Sequence, residues 1–569
     1  MMLSLLFFLN LFYNGIGCIS HFKWGRYADY PAARGRALMM IFIKMLPYMI
    51  ATPILKLMKQ IKMVNTLKTK CGEKFSTGLL KLGPLYIKIG QILSCREKLL
   101  PEEWVTALER LQDRVPAKTG QDARELAYSA FGSRQKMEEI LEDFDDIPLA
   151  AASLGQVHVA TLRSNVTQLD EASTKNEYNI NSGKLKVAIK IQRARLKDIY
   201  DKDLVLMKKI AKVGDKITSL VGGVQQNWTD IFNDAEVILY REIDYRKEAE
   251  NAKRFAMDFG IGLNGTKTIP SNSQLPSASE WLRTPYIYEH LSSEKILIQE
   301  YVPSIKINDF VALEAANITS MDRTYLAQSL ARSYLRQFCS SRFFSTDPHP
   351  GNLGVEIPKV DGEKPKLVFY DFGQACSLRK DQADGILAVI EGIMDLDASA
   401  CVRAFDQMGV LLDYADLDIV TRKVQENFDT GKIKIKKSYK NEGSLQKLPG
   451  DEFVTKQSGI DNEINSNDDK LTVKDSDVMP YFTLPAEYAF VARALSQLDG
   501  VGKGLDPEFD FISAAAPFIV EIKGANIFLR EKILRFISDA KKRSLQWETE
   551  LFKQFGFDAK KYLNEAKRP

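Results

Sequence analysis

The stretch "FFSTDPHPGNLGVEIPKVDGEKPKLVFYDFGQA", from Phe343 to Ala375, holds the polar residues that decide the fold. Asp347 and Asn352 lie five positions apart in "DPHPGN", and Asp371 follows the short apolar run "KLVFY". Phosphoryl-transfer sites use a carboxylate that orients a hydroxyl, an amide that ligates magnesium five residues later, and a second carboxylate after a buried strand. The stretch therefore predicts Asp347 as a catalytic residue, and Asn352 and Asp371 as Mg²⁺ ligands.

The composition is that of an ordinary globular protein and narrows the functional classes. The chain has 569 residues, 45% of them hydrophobic and 27% charged, which favours a two-lobed body or two domains. A net charge of +4 is too small to indicate a nucleic-acid partner. The six cysteines form no Cys-x-x-Cys pair and the four histidines are dispersed, which disfavours a zinc site and a disulfide scaffold.

Two charged residues upstream complete the set that binds and aligns a nucleotide. Lys190 closes "VAIK" on a predicted strand, where its ammonium group can reach the α- and β-phosphates. Glu248, within "REIDYRKEAENAKRF", lies on a predicted helix as the natural partner of Lys190, and Asp244 shares its helix face. Taken singly, each of these residues is equally well a solvated surface charge. Their order along the chain makes them a candidate catalytic set.

A phosphate-covering loop should precede the strand lysine, and the residues from Ala150 to Val157 occupy that position. The kinase template G-x-G-x-x-G-x-V becomes "AAASLGQV" here, so only the third glycine, Gly155, is kept. A Cβ at the first two glycine positions keeps the backbone farther from a phosphate, and we expect the loop to close less intimately. The candidate nucleotide-binding residues, which include two from "EKILIQEYVPS", are Ala150, Ala151, Ala152, Ser153, Gly155, Val157, Lys190, Glu300 and Val302.

Together these motifs resemble a known family, the UbiB/ABC1/ADCK atypical kinases. Its marks are a Lys-x-Gly-Gln motif in a helical extension, an Ala-rich loop, a Glu-x-Asp motif and Asp-Pro-His-Pro-Gly-Asn. The first motif is matched here by Lys88, Gly90 and Gln91, and the third by Glu242 and Asp244. The combination is far more specific than any one of its parts.

The resemblance runs from about Leu80 to Ile519, apart from two polar insertions. It implies an α+β, bilobal, protein-kinase-like fold with a helical N-terminal extension packed over the active site, where a peptide substrate would otherwise lie. Within that fold Lys88 is expected to pair with Glu242, and Gln91 to point at the nucleotide site. The implied cofactors are ATP or ADP and Mg²⁺.

Five parts are expected along the chain. They are an apolar targeting or membrane-associated segment (1–60), the helical extension (61–142), a kinase-like N-lobe (143–301) with a polar insertion (163–184), a helical C-lobe (302–520) with a disordered insertion (429–478), and a charged helical tail (521–569).

The N-terminal segment points to an organelle and a membrane surface. "MMLSLLFFLNLFYNGIG" is apolar, and the next stretch is basic with Asp29 as its single acidic residue, as in a transit peptide. Ala37 to Met58 could span a bilayer by length alone, but Lys44, Pro47 and Pro53 interrupt this segment. An interfacial helix and a helix packed on the main body are the alternatives. The C-terminal region resembles photosynthetic-lineage members, which favours a plastid, membrane- or plastoglobule-associated, with the mitochondrion as the alternative.

Three functions remain open. The family is linked to isoprenoid quinones and prenyl lipids (ubiquinone, plastoquinone, tocopherol), so the first is an atypical kinase or ATPase that supports this metabolism at a membrane. Its partners would be a nucleotide, an isoprenoid lipid or quinone precursor, and enzymes of quinone biosynthesis. The second is a nucleotide-sensing scaffold without turnover, which the loop alanines favour. The third is a small-molecule phosphotransferase, which the Lys88–Gln91 helix disfavours because it would occupy the acceptor cleft.

Overall fold

A computed structural model gives the architecture of most of the chain. It describes residues 35–41, 43, 47, 48, 51, 55, 58, 60–94, 102–109, 117–151, 154–163, 185–221, 228–271, 275–360, 362–441, 475–483 and 485–524. The predictions for Ala152 and Ser153, for residues 164–184 of the polar insertion and for the tail beyond 524 therefore lie outside the described residues.

The chain divides into two compact units. The first comprises Met1–Asp322 and Ser345–Ala375, and the second comprises Arg323–Phe344 and Cys376–Pro569. All the candidate site residues fall within the ranges of the first unit. The lobe boundaries expected from the sequence, between 301 and 302 above all, stay predictions.

The secondary structure mixes many helices with short strands. The helices are α1 (Ile61–Leu82), α2 (Pro84–Ser94), α3 (Glu102–Glu109), α4 (Gln121–Phe131), α5 (Arg134–Ile140), α6 (Leu196–Val221), α7 (Trp228–Glu242), α8 (Tyr245–Phe259), α9 (Phe310–Ala315), α10 (Ser320–Arg336), α11 (Lys380–Met394), α12 (Ala398–Gln407), α13 (Leu417–Asn441), α14 (Asp475–Val478), α15 (Ala486–Leu505), α16 (Phe511–Ala515) and α17 (Ile519–Lys523). The strands are β1 (Leu141–Phe144), β2 (Ala150–Ala151), β3 (Gly155–Leu162), β4 (Lys186–Gln192), β5 (Leu282–Arg283), β6 (Ile296–Glu300), β7 (Ile305–Lys306), β8 (Phe343–Ser345), β9 (Leu353–Glu356), β10 (Lys366–Phe369) and β11 (Ala375–Ser377). This composition agrees with the predicted α+β class.

A five-stranded sheet forms one part of the first unit. Its strands run in the order β1-β3-β4-β6, and β2 pairs with β3. The alternation of Val187, Ile189 and Ile191 predicted β4, and all three side chains are buried in the core of this sheet. Val157 on β3 lies opposite Lys190 on β4, which puts both side chains on the same face. The predicted strand that carries Lys190 is thus confirmed.

The helical extension packs against α6 and α7 in the same unit. The chain turns between α1 and α2 at Gly83, whose φ of 110° favours glycine, and Pro84 then begins α2 where no backbone N–H is needed. One apolar cluster joins side chains of α1 and α2, such as Leu85, to Tyr200 of α6 and Leu239 of α7. This packing fixes the face of α2 that carries Lys88.

A break between α7 and α8 separates two of the site carboxylates. Asp244 caps α8, because its side chain accepts the backbone N–H of Arg246. Glu242 consequently ends α7, while Glu248 lies in the first turn of α8. Helix α8 ends at Gly260, with φ of 65° in the left-handed region.

A four-stranded sheet, in the order β5-β10-β9-β7, carries the catalytic-loop stretch. Strand β10 lies between β5 and β9, and its Leu367 and Val368 are fully buried, as the "KLVFY" run predicted. A 3₁₀ turn, Pro350–Asn352, leads directly into β9, and Asp371 follows the end of β10. The antiparallel pairing of β9 and β10 therefore brings Asn352 and Asp371 to one end of the sheet.

The second unit is mainly helical. Leu326, Leu330, Tyr334 and Phe338 follow one another at intervals of four residues, a spacing typical of an amphipathic helix, and all four side chains are buried. Helix α10 ends at Arg336 and continues as a π-helical turn, so Phe338 lies just beyond the regular helix. The chain passes between the units at β8 and β11, which pair in a two-stranded sheet.

The predicted disordered insertion and the predicted membrane-associated segment are described by the structure only in part. Helix α13 continues to Asn441, so residues 429–441, predicted to be disordered, are helical, and residues 442–474 lie outside the described ones. A Lys-rich composition is compatible with a helix as well as with a loop. Within the described part of the chain, no helix is both long enough and apolar enough to cross a membrane.

Candidate functional site

Lys190 lies at the centre of the candidate site. Its Nζ is 2.7 Å and 2.8 Å from the two carboxylate oxygens of Glu248, and 2.8 Å from Oδ2 of Asp371. The three N–H donors of the ammonium group therefore meet three carboxylate oxygens. The side chains of Lys190, Glu248 and Asp371 are 14%, 5% and 33% exposed, so Asp371 is the most accessible of the three.

Asn251 and Gly373 fix the main chain around Asp371, and sequence reasoning missed them. Oδ1 of Asp371 accepts the backbone N–H of Gly373 at 2.8 Å. Asn251 Nδ2 donates to the carbonyl oxygen of Phe372 at 2.9 Å, which ties this turn to α8. Asn251 follows Glu248 by three residues, which places both on one face of α8, but the sequence does not show that its partner is a distant main-chain carbonyl.

The charge states of Lys190, Glu248 and Asp371 follow from their burial and from their contacts with one another. Burial opposes ionisation of Asp371, but the Lys190 ammonium and the Gly373 N–H outweigh it and lower the Asp371 pKa to about 2. Burial and the nearby Asp371 charge raise the pKa of Glu248 to about 7, against the pull of Lys190. Burial also disfavours the charged form of Lys190, yet the Asp371 and Glu248 carboxylates hold its pKa well above the ordinary value. Asp371 is thus a carboxylate at any physiological pH.

The catalytic-loop residues are held by their own short turn. Asn352 Nδ2 donates to the carbonyl oxygen of Asp347 at 3.1 Å, which leaves the amide oxygen of Asn352 as an acceptor. The Gly351 N–H donates to Nδ1 of His349 at 3.0 Å, so a neutral His349 carries its proton on Nε2. That Nε2 is 3.9 Å from Oδ2 of Asp347. His349 therefore caps the turn.

A second buried ion pair joins the extension to this region. Lys88 Nζ on α2 is 2.9 Å from Oε1 of Glu242, and the two side chains are 9% and 5% exposed. This is the pairing that the family resemblance implied. Burial raises the pKa of Glu242, although the Lys88 ammonium group acts to lower it. The charges of Asp347 and Asp371 raise it further. Glu242 therefore belongs electrostatically to the same acidic site.

The other residues of the extension motif are less informative. Gly90 is buried on α2, two residues after Lys88. The side chain of Gln91 lies outside the described part of the structure, so its predicted direction toward a nucleotide stays a prediction.

The Ala-rich loop is described at its two ends. Ala150 and Ala151 form β2 and pair with Val157 and Gln156 of β3. At Gly155 an added Cβ would overlap Ile191 O and the Tyr245 hydroxyl, so close packing demands glycine there. The template match predicted Gly155 through phosphate binding, whereas the structure adds a packing reason that the sequence did not reveal.

Glu300 and Val302 lie where β6 runs into the following linker. The Glu300 N–H donates to the Tyr286 carbonyl oxygen at 2.8 Å, and its carboxylate accepts the Tyr286 N–H at 3.1 Å and pairs with Arg283. The carbonyl oxygen of Val302 accepts the Ser304 hydroxyl at 3.0 Å. Because Glu300 is engaged in this way, its N–H and side chain are part of the structural frame at this position.

Asp244 differs from its predicted placement. The sequence put it on one helix face with Glu248. In the structure it precedes α8, and its carboxylate caps the helix and pairs with the Arg246 guanidinium at 2.8 Å. Its short side chain satisfies one of the free N–H groups of the first turn, that of Arg246.

The predicted metal ligands are a carboxylate and an amide, the oxygen ligands that Mg²⁺ prefers. Four carboxylates (Glu242, Glu248, Asp347, Asp371) are linked here by their charge interactions, and the ammonium groups of Lys88 and Lys190 pair with Glu242, Glu248 and Asp371. This acidic excess suits a divalent cation. Among the described residues, no group of three or more His, Cys, Asp or Glu side chains is arranged to hold a metal ion. Two protein ligands fit a magnesium ion that also binds phosphate oxygens and water.

Comparison with known proteins identifies the family. The ABC1 atypical kinase-like domain matches residues 110–168 and 177–405. The chain is 33% identical over 452 residues to protein ACTIVITY OF BC1 COMPLEX KINASE 8, chloroplastic, of Arabidopsis thaliana, a match that covers 78% of this chain and 53% of that protein. It is also 33% identical over 444 residues to an uncharacterized protein of Synechocystis, covering 78% and 63% of the two chains.

A bacterial relative gives a shorter match. The chain is 32% identical over 302 residues to the probable protein kinase UbiB of Shewanella oneidensis, covering 53% of this chain and 47% of that protein. The matches span about half to two-thirds of the length of these relatives. The family match includes the strand lysine, the Glu-x-Asp motif and both parts of the catalytic-loop stretch. The chain belongs to the ABC1 family of atypical kinases.

Proposed function

We propose that this chain is an atypical kinase or ATPase that binds ATP or ADP with Mg²⁺ and supports isoprenoid quinone or prenyl-lipid metabolism at a membrane. The observation that carries the proposal is the Lys190 contact with both Glu248 and Asp371. Kinases use this trio of lysine, helix glutamate and metal-binding aspartate to align a nucleotide.

Each residue would have a defined task. Asp371 and Asn352 would hold Mg²⁺, which when bound neutralises charge on the phosphate oxygens. Lys190 would exchange its contact with Asp371 for one with a phosphate, while Glu248 keeps its two hydrogen bonds to the ammonium group. Asp347 would orient the hydroxyl or water that attacks.

The helical extension limits which phosphoryl acceptors could reach the proposed site. Lys88 holds α2 against Glu242, and Glu242 is near enough to Asp347 and Asp371 for their charges to raise its pKa. A helix fixed beside the proposed catalytic aspartate restricts what can reach it. This supports water or a slender lipid as the acceptor, and it weighs against a soluble-metabolite phosphotransferase.

The setting of the reaction is also part of the proposal. Relatives named chloroplastic support a plastid, with the mitochondrion as the alternative. A plastid membrane or plastoglobule as the site within it is proposed from the apolar N-terminal segment. An isoprenoid lipid or quinone precursor and enzymes of quinone biosynthesis are the proposed partners.

ATP hydrolysis by the full chain tests the proposal. We expect hydrolysis that needs Mg²⁺, rises with vesicles containing a quinone precursor, and falls about a hundredfold or more in Asp371→Asn. Asp122→Asn is the matched control, because Asp122 is an exposed aspartate in the first turn of α4. Equal hydrolysis by wild type and Asp371→Asn would refute the proposed site.

A nucleotide-sensing scaffold is the second candidate. In its favour, all three Lys190 donors already have carboxylate partners, and alanines replace two loop glycines. Both features oppose a closed geometry around a terminal phosphate. Nucleotide binding that Asp371→Asn abolishes, with no turnover in the presence of lipid, would establish the scaffold in place of the enzyme.

A further inference from the structure

A buried amide and a buried imidazole lie on β3, in the hairpin that β2 and β3 form at the Ala-rich loop. The side chains of Gln156 and His158 are both completely buried, at 0% exposure. They alternate with Val157 on β3, and Val157 lies opposite Lys190. Because successive side chains of a strand point to opposite faces, this polar pair lies on the face away from Lys190. Nothing in the proposed nucleotide chemistry uses it.

The Gln156 amide satisfies both polar groups of one peptide residue. Its Oε1 accepts the backbone N–H of Lys118 at 2.9 Å, and its Nε2 donates to the Lys118 carbonyl oxygen at 3.0 Å. A reversed amide would set donor against donor and acceptor against acceptor, so only one orientation fits. Two residues on, the Gly120 N–H donates to the carbonyl oxygen of Asp146 at 3.1 Å. The segment 117–120 is thus fastened to the hairpin.

His158 fixes the orientation of that amide. Gln156 Nε2 is 2.6 Å from His158 Nε2, and because the amide nitrogen only donates, His158 Nε2 must be an unprotonated acceptor. His158 Nδ1 is 2.8 Å from the carbonyl oxygen of Asp145, which only accepts, so Nδ1 must carry the proton. A single neutral tautomer satisfies both contacts, whereas an imidazolium would set an Nε2–H against the amide N–H.

The surroundings of His158 keep the ring neutral. Burial lowers the pKa of His158, against the hydrogen bond to Asp145 and the charges of Asp145 and Asp146. The Phe144 ring stacks on the imidazole, with 4.7 Å between ring centroids. Across the sheet, the residue paired with His158 on β4 is the apolar Ile189.

We propose that Gln156 and His158 are positioning residues of the Ala-rich loop, which lock segment 117–120 of the helical extension to the β2–β3 hairpin that carries the loop. Gln156 pairs through its backbone with Ala151, the last described residue of the first loop arm. One residue therefore holds the loop through its main chain and segment 117–120 through its side chain. The effect on nucleotide binding rests on the proposed function, but the lock itself does not.

The wild-type protein gives the first test, which needs no substitution. In full-length protein with ¹⁵N-labelled histidine, the ring nitrogens of His158 should show a proton on Nδ1 and none on Nε2 at neutral pH. The signal is assigned by its loss in His158→Asn. A proton on Nε2, or a charged ring at neutral pH, would overturn the inference.

Two substitutions of Gln156 give the second test. Gln156→Met removes every hydrogen bond of the amide, so amide hydrogen exchange should accelerate together in segment 117–120 and in the hairpin at 149–157. Gln156→Glu places a carboxylate beside His158 Nε2 and should raise the titration midpoint of His158 by about 1 pH unit or more. A merely structural role would not move that midpoint. Unchanged exchange in Gln156→Met, or an unchanged midpoint in Gln156→Glu, contradicts the lock.

Nucleotide affinity measures the consequence for the loop. We expect Gln156→Met to weaken Mg-nucleotide binding about tenfold, the equivalent of about two ordinary hydrogen bonds, while the exposed Gln135→Met on α5 leaves it unchanged. Affinity that stays equal in Gln156→Met would refute the positioning role. If wild type binds no nucleotide, the proposed function fails, and the exchange and histidine measurements still decide the lock.

Discussion

The buried ion pair between Lys88 and Glu242 couples the helical extension to the acidic site. A buried carboxylate that loses its only strong counter-charge is far more costly than the intact pair is stabilising. The nearby charges of Asp347 and Asp371 add to this cost, because they already raise the pKa of Glu242.

Lys88→Ala should therefore lower the free energy of unfolding by about 3–5 kcal/mol at pH 8. Removing the ammonium group raises the pKa of Glu242 further above its unfolded value. Stability of the variant is then fully present below the unfolded pKa and is lost as pH rises through the folded pKa, so the deficit should be smaller at pH 5. Guanidinium unfolding at both pH values measures it.

Lys68→Ala is the matched control for this substitution. Lys68 pairs with Glu103 between α1 and α3, at 3.4 Å and with greater exposure than the buried pair, so its loss should cost about 1 kcal/mol or less. The double variant with Lys88→Met and Glu242→Met should recover much of the lost stability. Similar losses for Lys68→Ala and Lys88→Ala would contradict the assignment of the buried charge.

Two glycines within helices of the second unit show the separate effects of helix packing and of intrinsic helix propensity on stability. On α11, a Cβ at Gly392 would lie 2.6 Å from Sγ and 3.1 Å from the backbone nitrogen of Cys401 on α12. Gly392→Ala should cost about 1–3 kcal/mol, because the two helices must separate. On α15, Gly500 has no atom within 4 Å of such a Cβ, and Gly500→Ala should stabilise by up to about 1 kcal/mol.

Thermal unfolding followed by circular dichroism measures both variants. The two melting temperatures should move in opposite directions from wild type. An unchanged or higher melting temperature for Gly392→Ala would show that the approach of α11 to α12 does not depend on the missing side chain.

Elements differ in how far the sequence predicts them. Strand β4 was predictable because Val187, Ile189 and Ile191 alternate toward a buried face. The break between α7 and α8 was not, because an aspartate such as Asp244 serves equally as a cap or as a charged helix face, and only the chain path decides. Residues 429–441 were predicted to be disordered and are helical, because a polar composition is common to helices and loops.

The same contrast holds within the candidate site. Lys190, Glu248 and Asp371 were predictable because phosphoryl transfer requires side chains of fixed type in a fixed chain order. Asn251 and Gln156 were not, because their partners are main-chain atoms far away in sequence. A peptide group is present at every residue, so no sequence pattern marks the one that a buried amide will bind.

Across the whole molecule, exposed apolar side chains that lie beside lysines indicate which surface would contact a membrane. At the start of α1, Ile61 and Met63 are 71% and 57% exposed, next to the exposed Lys62 and, two turns on, Lys70. Apolar side chains flanked by lysines suit an anionic lipid surface, to which each lysine adds about 1 kcal/mol of attraction.

The full chain carrying Ile61→Ser and Met63→Ser should therefore sediment several-fold less with anionic vesicles than wild type does, and added salt should weaken the binding of both proteins. Val311 and Met321, at 81% and 82% exposure, are the matched control, because Glu314 and Asp322 lie near them in sequence instead of lysines. Val311→Ser with Met321→Ser should leave sedimentation unchanged. If both double variants lose vesicle binding equally, general apolar exposure rather than the start of α1 accounts for it. If neither loses it, the start of α1 does not contact the membrane.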